Sequence, residues 1–287
     1  MKNKFSLSMA IALGGIAAFA LRLVQNQTGF ETDTGLPIPG NAAGIALVIL
    51  LVAMAVIVVM MARKLPEKTS QPPVFPLDFS TEDAGLLMLP MAGVFLVGIS
   101  GALDLLLGMG FLANSAIDLP GIGTLFLFAS CEFPPALHLL MGASSLVSAA
   151  ALLLCVLRCR RKGTREAAMD GAWLLVPVIT LVVRLVLTYR VDSMNPSLEA
   201  YYVELLALVF LTLAFYRLSS FAFGSGRVRR FAVYCGEAVI LTLAALADID
   251  APLSSTLLCL GGAAVLLGCL ILLLTNLSAA PDASADS

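Results

Sequence analysis

Residues 42–61 read AAGIALVILLVAMAVIVVMM, twenty consecutive positions without a charge. About 20 apolar residues are what an α-helix needs to cross the ~30 Å hydrocarbon core of a bilayer. Comparable runs recur along the chain, at roughly 5–24, 84–108, 136–157, 171–189, 200–221, 231–247 and 253–274. The composition agrees: 60% of the 287 residues are apolar and 13% charged, with a mean hydropathy of +0.98. Soluble domains carry about 25% charged residues, so no soluble core accounts for this chain. Alternation of the length of a barrel strand is absent, which leaves helices as the spanning elements. The expected fold is an all-α, polytopic integral membrane protein with about eight transmembrane helices. Residues 1–278 form a single membrane-embedded domain, and 279–287, rich in Ala, Asp and Ser, a disordered cytoplasmic tail.

The basic residues set an orientation. Lys2 and Lys4 precede the first run; Arg63, Lys64 and Lys68 follow the second; Arg158, Arg160, Arg161, Lys162 and Arg165 follow the fourth. Arg217, Arg227, Arg229 and Arg230 surround the end of the sixth, while the intervening loops carry Glu31, Asp33, Asp118, Glu132, Asp192, Glu199 and Asp250. The positive-inside rule places both termini and the basic loops in the cytoplasm of a cell-membrane protein. These clusters are topology determinants rather than a nucleic-acid surface, in keeping with a net charge of −2. Lys2, Lys4, the following apolar stretch and Ala18-Phe19-Ala20 also fit a cleavable signal peptide, which would leave seven spans.

Two halves echo each other. Arg22-Leu23-Val24 recurs as Arg184-Leu185-Val186, and GALD ending at Asp104 meets ALAD ending at Asp248. With four spans apiece, halves 1–162 and 163–278 share one orientation and form a parallel repeat. The connector at 63–83 holds Pro66, Pro72, Pro73 and Pro76, and 25–41 is a long polar loop suited to docking. Leu119–Cys131 is apolar yet too short to span, so it is expected to be re-entrant or interfacial.

Ionisable groups within a bilayer are costly and tend to pair or to line a polar cavity. Arg22, Asp104, Arg184, Glu204 and Asp248 all fall near one face, as solute-binding candidates. Arg184 and Glu204, at matched depth on consecutive antiparallel helices, are expected to pair. His138 and Glu237, the latter in the inner third of its span, are candidate proton-coupling groups. The bland alternatives are helix clamps and end groups that snorkel to water. The six cysteines are scattered without a C-x-x-C and His138 is the only histidine, so no metal or cofactor is expected. Walker A, H-E-x-x-H, G-x-S-x-G and dinucleotide motifs are absent, which disfavours an enzyme. What remains is a small secondary carrier or solute-binding protein with an outward polar cavity for a polar or anionic solute. The alternative is a noncatalytic subunit that binds other membrane proteins within the lipid bilayer.

Overall fold

A computed structural model describes residues 2–31, 36–67, 75, 77–111, 116–119, 123–126, 134–160, 171–192, 198–248 and 251–279. Eight long helices carry the fold: α1 Lys2–Thr28, α2 Ala42–Arg63, α3 Ala84–Gly108, α4 Pro135–Cys159, α5 Val176–Asp192, α6 Leu198–Ala222, α7 Val228–Ala245 and α8 Leu253–Ala279. Local chemistry fixes several starts. The Asn41 side chain accepts from the Ala43 amide at the head of α2, and Asp83 from that of Gly85 at the head of α3. Gly40, at φ +77°, supplies the left-handed turn into α2.

Seven of these helices are long and apolar enough to cross a membrane. The exception is α7, whose eighteen residues include Arg229, Arg230 and Glu237. Its surroundings explain how it tolerates them. It packs on α1, α2, α6 and α8, and every residue from Cys235 to Thr242 is buried. A helix screened by its neighbours does not have to match the lipid. At the other extreme, α2 leaves Val48, Ile49, Val52, Val56 and Met60 exposed, an apolar flank suited to a bilayer.

Close packing centres on α3. A Cβ on Gly93 would lie 2.5 Å from the Gly261 carbonyl oxygen of α8, and one on Gly261 2.7 Å from that of Gly93. The same reciprocity joins α3 to α4, through Gly101 and Gly142. Paired glycines let helix backbones approach within reach of dispersion forces, the main attraction available between apolar helices in lipid. Meanwhile α7 has α6 and α1 as its principal neighbours, so α3 and α7 occupy unlike settings.

Two expectations about segments change. Helix α1 continues to Thr28, so Gln25 and Asn26 belong to it rather than to the polar loop. Helix α7 begins at Val228, which makes Glu237 its tenth residue of eighteen and puts it near the middle rather than in the inner third. Before α4, Ala116–Leu119 and Gly123–Phe126 pair as two short antiparallel strands. Residues 127–133, including Cys131 and Glu132, lie outside the described residues, as do Asp33, Lys68, Asp250 and the 280–287 tail.

Candidate functional site

Two arginine–aspartate pairs organise the end of the bundle where α1, α3, α5 and α7 finish and α8 starts. In the first, Arg22 Nε donates to Asp248 Oδ1 at 2.7 Å and Nη1 donates to Gln25 Oε1 at 2.8 Å. The Asn26 amide donates to Asp248 Oδ1 at 3.0 Å and to the Ala247 carbonyl at 2.9 Å. Tyr202 of α6 offers its ring face to the Arg22 guanidinium at 5.5 Å, a cation–π contact. The spacing is helical: Gln25 and Asn26 follow Arg22 by three and four residues, so all three lie on one face of α1. Among the described residues Arg22 is the largest fully buried side chain, at 0% exposure.

In the second pair, Arg184 Nη1 donates to Asp104 Oδ2 at 2.5 Å and Nη2 to Ser254 Oγ at 2.9 Å. Ser100 Oγ donates to the Ser254 carbonyl at 2.6 Å, which ties α3 to the first turn of α8. His138 of α4 holds Nδ1 4.0 Å from Asp104 Oδ1. Asp104 is fully buried and Arg184 nearly so. Four helices thus converge on one buried carboxylate–guanidinium pair.

Arg184 therefore pairs with Asp104, not with Glu204 as matched depth suggested. Glu204 Oε1 accepts instead from Ser255 Oγ at 2.8 Å. Sequence adjacency favoured α5–α6, but α3 supplies a carboxylate inside the bundle, and a buried arginine takes the partner that desolvates with it. The candidates Arg22, Asp104, Arg184, Asp248, Glu204 and His138 all lie towards this end, while Glu237 stands apart, 7% exposed, on α7. The arginines sit deeper than the sequence suggested. Arg22 precedes the end of α1 by six residues, about 9 Å, and Arg184 that of α5 by eight, about 12 Å, at 1.5 Å per residue.

Sequence reasoning missed Gln25, Asn26, Ser100, Ser254, Ser255 and Tyr202. For Gln25 and Asn26 a signal existed in the three- and four-residue spacing from Arg22. The serines gave none, because a hydroxyl on an apolar helix is equally at home bonded to its own backbone. Cys155, Cys159, Cys235, Cys259 and Cys269 are buried free thiols, and among the described residues no three His, Cys, Asp or Glu side chains group as metal ligands.

The two pairs share a design. Arg22 and Asp104 belong to the first half of the chain, Asp248 and Arg184 to the second, so each ion pair crosses between halves. The Ser100–Ser254 bond crosses in the same way. No protein-family model, no curated protein and no solved structure matches this chain.

Proposed function

We propose that the chain is a small secondary carrier or solute-binding membrane protein, with Arg22 and Arg184 as the groups that take a polar or anionic solute. The observation that supports this reading is the crossing of both ion pairs between residues 1–162 and 163–278. If the halves rock against each other, as in carriers built from two similar repeats, both pairs break together. Two guanidiniums then face the gap, and a solute carboxylate or phosphate replaces an aspartate at the planar fork that arginine presents. Asp104, Asp248 and Glu204 orient the arginines and close the gap again. His138, beside Asp104, and Glu237, midway along α7, are the proton-coupling groups of this proposal. The buried pairs represent its closed state.

The test is thermal unfolding of detergent-purified protein against amino acids, organic anions, nucleosides, sugars and metal ions. A ligand that binds only the folded state, at ~100 times its dissociation constant, stabilises by about 2.7 kcal/mol. The expected result is a pH-dependent hit that Arg184→Lys abolishes and whose pH dependence Glu237→Gln removes. A hit untouched by both Arg184→Lys and Arg22→Lys overturns the site.

A second reading has its own observation: each arginine holds an aspartate in an enclosed pair, as helix clamps do. Under it the protein is a noncatalytic subunit that binds other membrane proteins, and a flat panel from well-folded protein favours it.

A further inference from the structure

The opposite end of the bundle holds a cavity of about 310 Å³ among α2, α6 and α7, lined by Val59, Ala62, Arg63, Arg217, Arg229, Arg230, Val233 and Tyr234. Four arginines reach this space, and among the described residues no acid lines it. Nearby, Glu67 is engaged with Arg227 at 3.3 Å, and Arg229 Nε donates to the Leu65 carbonyl at 2.6 Å. Like charges held together repel, and the first turn of α7 deepens the imbalance. Helix N-termini carry partial positive charge, yet this one holds Arg229 and Arg230, has no acidic residue and lacks a side-chain cap.

Arg217 is the organised member of the set. Its guanidinium lies 5.6 Å from the Tyr216 ring centre and 5.4 Å from that of Tyr234, so aromatic faces hold it in place. Its Nε is buried and has no hydrogen-bond partner among the described residues. A buried donor without an acceptor costs free energy, and an anion in the cavity is the simplest acceptor. Phosphate suits a set of arginines better than a lone carboxylate does, because it offers several oxygens to planar forks.

We propose that this cavity binds a phosphate group, supplied by the headgroup of an anionic phospholipid. The walls favour that source over a free phosphate. Val59 and Val233 make one side apolar, and on the same helix Val56 and Met60 are exposed on the flank that suits lipid. A lipid lying against α2 keeps its chains on that flank while its phosphate enters among the arginines. Basic pockets between membrane helices bind such headgroups by the same division of labour.

Delipidated protein is reconstituted in nanodiscs of phosphatidylcholine alone or with phosphatidylglycerol, and separately given inorganic phosphate in detergent. Thermal unfolding is read for wild type, for Arg63→Gln/Arg230→Gln, for Arg217→Lys, and for a charge-matched control at the same end, Arg158→Gln/Arg160→Gln. The expected result is a rise of several degrees with phosphatidylglycerol, at least halved in both cavity variants and retained in the control. The double variant alters two exposed side chains, so it retains the fold even if Arg217→Lys does not. Equal loss in the control overturns the site in favour of diffuse surface attraction. Stabilisation by inorganic phosphate matching that by phosphatidylglycerol overturns the lipid source. No preference for phosphatidylglycerol and no phosphate effect overturns the proposal outright.

Discussion

Arg184 illustrates what a single buried charge demands. Its guanidinium is satisfied by Asp104 and Ser254, from two other helices. Arg184→Ala strands Asp104 in a low-dielectric interior, and breaking such a pair from one side typically costs 3–5 kcal/mol. Replacing both partners by apolar groups of similar size, as in Asp104→Leu/Arg184→Met, removes the stranded charge. Chemical or thermal unfolding in detergent is expected to rank the single variant well below the double. Should the two be equally unstable, the pair contributes through shape rather than charge. Applied to solute binding, the same double variant separates the two functional readings: a clamp survives the exchange, whereas a binding site is lost with its guanidinium. The types and layer of these residues were legible in the sequence, since charges in apolar runs stand out. Their partners were not, because pairing depends on which helices touch, and adjacency in the chain pointed Arg184 towards Glu204.

Among the elements, α3 depends most on what is missing from its surface. The Gly93–Gly261 contact leaves no room for a methyl group on either side, whereas a Cβ on Gly98 would meet only Ala149, at an ordinary 3.8 Å. Gly261→Ala is therefore expected to destabilise by about 1–3 kcal/mol through forced separation of α3 and α8. Gly98→Ala, with space available and a better helix former in place, is expected to be neutral or to gain up to about 1 kcal/mol. Unfolding midpoints measured side by side check the contrast, and a costly Gly98→Ala would contradict it. The small residues at 142–145 and 261–264 already marked close contacts in the sequence. What the sequence could not supply was the partner, since Gly93 and Gly101 lie in an α3 that otherwise reads as plain apolar helix. Hydropathy located all the long helices, yet it erred at ends such as that of α1, where polar Gln25 and Asn26 continue the helix because Arg22 and Asp248 await them.

At the scale of the whole molecule, charge is divided between two ends: Arg63, Lys64, Arg217, Arg227, Arg229 and Arg230 at one, the two enclosed ion pairs at the other. If the basic end faces the cytoplasm, Ser225→Cys will resist a membrane-impermeant maleimide in intact cells, while Ile38→Cys will react. The five described cysteines are buried, which favours a low background. The reverse pattern inverts the topology. The enclosure of α7 also bears on how the chain is made. Eighteen residues bearing two arginines and a central glutamate form a poor insertion signal, because a translocon scores each segment against lipid as it emerges. The segment is acceptable only once α1, α2 and α6 are there to receive it and α8 arrives to cover it. Synthesis halted between α7 and α8 should thus leave a chain that holds its first six helices but not its seventh, and maturation of the bundle waits on its last helix to emerge.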